Sequence, residues 1–179
     1  MLPILMIALC AILRVAPHPP NLAPVGATAV IAGRTMPRWV AIATVLVAMF
    51  VGDVLLAWTR GYPIVNPTTP FVYAGFAIQA VLGRALVRRR GGAIAAAVIG
   101  ACAFFVISNL GLWITGDFYP HTGAGLSACF VAAIPFFERT LVGDVVWTVA
   151  LSLAYAAIAR RLAHRRAWLL VPTSDVAIV

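Results

Sequence analysis

The sequence contains no lysine. All thirteen basic residues are arginine, and only five acidic residues stand against them. Charged side chains make up 10% of 179 residues, too few to cover the surface of a soluble domain of this size. Hydrophobic residues make up 63%, and long apolar runs of this kind are the signature of membrane spans. The net charge of +8 raises the question of nucleic acid. Most arginines, however, lie at the ends of apolar runs, where the positive-inside rule and anionic lipid account for them. The three cysteines, Cys10, Cys102 and Cys129, show no C-x-x-C or other metal spacing and read as small buried hydrophobes. There is no G-x-S-x-G, no H-E-x-x-H and no Walker motif, which excludes ATP hydrolysis by this chain alone and gives no catalytic constellation. No enzyme activity, metal or cofactor is expected.

Apolar runs fall at 1–16, 22–33, 38–58, 71–87, 92–115 and 140–160. The third, fifth and sixth are long enough to cross a bilayer, the first and fourth are marginal, and the second is short enough to be either a short span or a re-entrant segment. No basic residue precedes the first run and no small-residue cleavage site follows it, so residues 1–16 read as retained rather than as a signal peptide. Arginines cluster at 34 and 38, at 88–90, and at 160, 161, 165 and 166. Placing these clusters in the cytoplasm threads six spans with both termini inside. A re-entrant second run would give five spans and put the N-terminus outside. The expected architecture is an all-α membrane protein, a bundle of about six transmembrane helices. Residues 1–166 form one integral-membrane domain and 167–179 a C-terminal tail. The expected location is a membrane crossed several times, with the arginine clusters on its cytoplasmic side.

The connections predicted to face outward read "PHPPNLAP", "TRGYPIVNPTTP" and "GDFYPHTGAG". Pro and Gly stop helices and shape rigid turns, while Asn, His, Tyr and Thr offer hydrogen bonds to a neutral or mildly polar partner. Irregular backbone near a bilayer is tolerated where protein buries it or water reaches it, so the outer half is expected to enclose a polar cavity. The segment "LSACFVAAIPFF" is too short to span and carries Pro135, which suggests a short interfacial helix or lid before the last span.

Asp53 in "FVGDVLLAW" and Asp144 in "LVGDVVWTV" are the acidic residues well inside predicted spans, each after a glycine. An ionisable group in a span is costly and usually faces the interior. Each reads either as part of a binding or proton-coupled site or as a group that fixes helix packing. Gln79 has the same two readings. Candidate ligand contacts are His18, Asn21, Asn66, Asn109, Trp113, Tyr119 and His121; Asn109 equally serves to link helices, and Trp113 to anchor the interface. His18 and His121 share the predicted outer side, but Asp117 is only a loose third ligand, and no metal site is assigned. Small residues at helical spacing, namely Ala93, Ala97 and Ala101, Ala48 and Gly52, and Ala150 and Ala154, allow close helix approach within the bundle or against a partner subunit.

The segments "HPPNLAPVGATAVIAG", "SNLGLWITGDFYPHTGAGLSACFVAAIPFF" and "TLVGDVV" resemble hallmark segments of an uncharacterised family of small bacterial inner-membrane proteins, over roughly residues 14 to 150. More distantly, the layout resembles the substrate-binding S components of energy-coupling-factor vitamin transporters. That resemblance implies six helices, both ends cytoplasmic, and an outward-facing pocket for a vitamin or related micronutrient. It also implies a coupling subunit and ATPases as partners, or solitary action as in the cobalamin-binding type. In that type a cysteine ligates cobalt, and Cys129 is the residue here that the resemblance would place in such a role. The expected function is uptake of a small molecule by a substrate-binding membrane protein. The alternatives are a non-catalytic accessory or scaffold subunit of a membrane complex and an intramembrane lipid-modifying enzyme.

Overall fold

The computed structural model describes residues 2–17, 22–86 and 88–169, without the side chains of 164–169. His18, Asn21 and the tail beyond Leu169 lie outside the described residues. Among the described residues the chain is all helical: α1 (Leu2–Val15), α2 (Val25–Thr35), α3 (Arg38–Arg60), α4 (Thr69–Ala85), α5 (Gly92–Thr115) and α6 (Gly123–Leu169). Three are long and apolar enough to cross a membrane, namely Arg38–Arg60, Gly92–Thr115 and the part of α6 from Gly123 to Ala163.

Helix boundaries follow local chemistry. Pro24 and Pro37 stand immediately before α2 and α3, where a missing amide costs no helical bond. Gly61 ends α3 at φ 71°, a left-handed cap that a side chain would strain. Gly91, at φ 69°, opens α5.

The helices alternate in direction. Arg60 at the end of α3 donates to the Val15 carbonyl at the end of α1 (2.9 Å). At the other pole, Arg34 at the end of α2 donates to the Leu86 carbonyl just past α4 (3.3 Å). One pole therefore carries the ends of α1, α3 and α5 and the starts of α2, α4 and α6. The opposite pole carries Arg34, Arg38, Arg88–Arg90, Arg160 and Arg161.

α2 is the hub. It touches each of the other five helices, and every residue from Val25 to Gly33 is buried. Small residues make this possible. A side chain on Gly33 would strike the Ala80 carbonyl of α4, and one on Gly83 would strike the Val30 carbonyl of α2, so the two backbones meet directly. Of the α5 stripe, Ala97 and Ala101 are buried inside the bundle and Ala93 is half-buried, while Ala48 and Gly52 of α3 are buried. Ala150 and Ala154 of α6 remain exposed.

One expectation is corrected. Residues 126–137 do not form a separate interfacial helix; they belong to α6, which runs unbroken for 47 residues through Pro135. A proline removes one backbone donor and crowds one turn, which bends or weakens a helix without having to end it. Cys129 is buried on α6, with its thiol 3.6 Å from the Asn109 carbonyl of α5.

Trp39 and Trp58, near the two ends of α3, are 75% and 84% exposed. They stand nineteen positions apart, about 28 Å at helical rise, close to the thickness of a bilayer's hydrocarbon core. Tryptophan favours the two interfaces of a membrane, and the pair has the spacing of residues at both.

Candidate functional site

The shortness of α2 creates the site. Eleven residues reach only about 16 Å, roughly half a hydrocarbon core. Beyond its first turn the bundle is open, and a cavity of about 470 Å³ occupies the missing length. Ala23, Val25 and Gly26 form its inner end, Met49, Leu56, Val72, Phe76 and Phe104 its apolar walls. The polar groups are Arg14, Arg60, Tyr62, Thr140 and Asp144. Helix α2 directs the positive end of its dipole into this space.

Two polar networks flank the cavity. In the first, Arg14 of α1 is ion-paired through Nη2 with Asp53 Oδ1 of α3, and Tyr73 of α4 donates to Asp53 Oδ2 (2.7 Å). Arg14 Nη1 also reaches Met49 Sδ (2.6 Å). The side chains of Arg14 and Asp53 are 19% and 14% exposed, so the pair is largely desolvated. Gly52 makes room for it, because a Cβ there would strike the Arg14 side chain.

In the second, Gln79 Nε2 of α4 donates to Asp144 Oδ2 of α6 (2.8 Å). Gln79 is 0% and Asp144 3% exposed. The two side chains meet between the helices because Gly26 of α2 yields its space to the carboxylate and Gly100 of α5 yields its space to Gln79. Trp147 holds the approach to α2, donating from Nε1 to the Leu22 carbonyl (2.8 Å).

Of Asp53, Asp144 and Gln79, Asp144 lines the cavity, while Asp53 is tied to it through Arg14 and Gln79 through Asp144. The structure distributes the loop candidates differently. Asn66 accepts from the Thr68 amide (3.0 Å) and hydroxyl (2.6 Å), shaping the turn into α4. Trp113 donates to the Pro120 carbonyl (3.0 Å), and His121 Nε2 lies 2.7 Å from the Trp113 carbonyl with the two rings edge to face. Those contacts brace the α5–α6 loop, in which Tyr119 is half-buried. Asn109 donates within α5 to Phe105 (2.7 Å) and lines a second pocket of about 260 Å³ with Ser108, Phe136 and Phe137. Val72, Phe104 and Thr140 form walls common to that pocket and the central cavity. Asn66 and Asp117 border a third depression of about 580 Å³ beside Phe118.

Sequence reasoning missed Arg14 and Arg60. The signal was present: both are isolated arginines away from the three basic clusters, at helix ends on the pole where the positive-inside rule predicts few. No group of three or more His, Cys, Asp or Glu residues that could hold a metal occurs among the described residues.

The chain belongs to a family of unknown function, DUF6580, whose model matches residues 1–167. No curated protein and no solved structure matches it.

Proposed function

We propose that this member of the DUF6580 family is a substrate-binding membrane protein that takes up a small solute through the cavity above α2. The observation that carries the reading is the composition of that cavity. An apolar chamber of about 470 Å³ has the size of a small-molecule site and holds a few convergent polar groups. Arg60 and the first turn of α2 favour a negatively charged group, and the aromatic and aliphatic walls favour an apolar body. A vitamin or related micronutrient bearing a carboxylate fits this chemistry. Chain length, helix number and the Pro/Asn-rich first loop support the likeness to S components of energy-coupling-factor transporters, with both termini at the arginine-rich pole in the cytoplasm of a bacterial inner membrane. That likeness is one of layout.

Mass spectrometry of small molecules that co-purify with the protein tests the reading. A carboxylate-bearing solute is expected, with affinity at least tenfold weaker in Arg60→Ala. An empty protein that binds nothing across a panel of carboxylate vitamins overturns it.

A second reading, a scaffold subunit, draws on Ala150 and Ala154, which α6 leaves exposed at the small-residue spacing suited to a partner helix. A coupling subunit would dock there under either reading. Stable co-purification of a specific membrane partner without any small molecule would favour the scaffold.

A further inference from the structure

Asp144, Thr148 and Ser152 follow one another at four-residue spacing on α6, which sets them along one face of the helix. Thr148 is 0% exposed. Its Oγ1, the Ser152 Oγ and the Gln79 Oε1 are all buried, and none has a hydrogen-bond partner among the described residues. Hydroxyls on helices ordinarily bond back to the preceding turn, as Thr35, Thr44, Thr59 and Ser108 do here. Thr148 and Ser152 depart from that habit in the part of the chain where unsatisfied groups cost most.

The cluster gathers lone pairs from a carboxylate, an amide carbonyl and two hydroxyls. Gln79 spends one amide hydrogen on Asp144 Oδ2, and its Oε1 can only accept. The donor set is all oxygen, with one carboxylate, which is the chemistry of a hard cation of low charge rather than of a soft transition metal. Of the two cations that line the cavity, Arg14 is paired with Asp53, and Arg60 donates to the Val15 carbonyl at the end of α1.

We infer that Asp144, Thr148 and the Gln79 side-chain carbonyl bind one sodium ion at the floor of the cavity. Because Asp144 also lines the cavity, occupancy of the ion and of the solute are linked through one carboxylate. The coupling role rests on the uptake reading above; the ion site does not.

Thermal unfolding of the purified full chain in detergent, without any solute, tests the site. Sodium chloride is compared with potassium and choline chloride at equal ionic strength. The expected result is a sodium-specific rise in Tm on the order of 5 °C at saturating ion. The rise should vanish in Asp144→Asn and in the near-isosteric Thr148→Val, which keeps the test informative if the first variant fails to fold. Equal Tm in the three salts, or a sodium shift that persists unchanged in Thr148→Val, overturns the site and leaves water as the partner of these oxygens. A sodium shift in a protein that binds no solute would remove the uptake reading and keep the site. Solute binding without a sodium shift would do the reverse.

Discussion

The carboxylate of Asp144 occupies the space that a side chain at Gly26 would take. Two helices share one volume there, and the same device recurs where Gly33 of α2 meets the Ala80 carbonyl. The two contacts differ in what can yield. A methyl at Gly26 meets the end of a side chain, which can rotate away. A methyl at Gly33 meets backbone, which can yield only if α2 and α4 separate. Gly33→Ala is therefore expected to cost about 3 kcal/mol and Gly26→Ala about 1 kcal/mol, although both are single methyl additions. Thermal unfolding in detergent measures the order. Solute affinity reads the second effect, since Gly26→Ala should break the Gln79–Asp144 bond and disturb the cavity floor while leaving the fold intact. Equal Tm losses for the two variants would refute the distinction.

The Arg14–Asp53–Tyr73 network should behave as a unit. Removing one partner of a desolvated ion pair strands the other, which costs more than removing both. Asp53→Asn is expected to lower stability by about 2 kcal/mol, and Tyr73→Phe, which deletes one hydrogen bond to that carboxylate, by about 1 kcal/mol. Arg14→Leu combined with Asp53→Leu should cost less than the sum of the two single changes, by about 2 kcal/mol. A double-mutant cycle on thermal unfolding measures that coupling, and strict additivity would show that the pair contributes nothing beyond its separate parts.

The cavity and the loops separate two classes of polar residue that look alike in sequence. Asn66, Trp113 and His121 direct their hydrogen bonds into their own loops, whereas Arg60 and Asp144 line the chamber. His121→Ala should therefore loosen the α5–α6 connection, seen as faster amide exchange over residues 116–122, while solute affinity changes less than twofold. Arg60→Ala should show the opposite pattern, with unchanged exchange and affinity at least tenfold weaker. A large affinity loss in His121→Ala would return the binding site to the loops.

Much of this architecture is legible in the residues. The all-helical class and six helices follow from apolar runs broken by Pro, Gly and Arg, and the ends of α1, α3 and α5 lie close to where those breaks fall. Asp53, Asp144 and Gln79 stand out because a polar group in an apolar run demands a partner. Which partner it finds is not written locally. Arg14 meets Asp53 from 39 positions away, and Gln79 meets Asp144 from 65. Composition alone gives α2 no special standing, because its role comes from being enclosed by five neighbours. The continuity of α6 through Pro135 was hidden for a related reason. A proline's local preference is for ending a helix, and packing of Phe130 and Phe137 against Phe105 on both sides of it holds the helix together.

Trp39 and Trp58 supply a ruler for the membrane. Both rings are exposed on α3, and about 28 Å of helix separates them. If α3 crosses the bilayer fully, both indoles sit at headgroup depth in opposite leaflets. Variants that retain only one of the two tryptophans, with the other tryptophans replaced by phenylalanine, can be reconstituted into vesicles containing lipids brominated at defined depths. Each is expected to be quenched most strongly by lipids brominated near the headgroup and least by those brominated near the bilayer centre. The two must also differ in sidedness: a water-soluble quencher added outside oriented vesicles should reach one indole and spare the other. Deep quenching of either residue, or access to both from one side, would show that α3 lies obliquely or does not cross. The cavity above α2 would then need a different relation to the membrane.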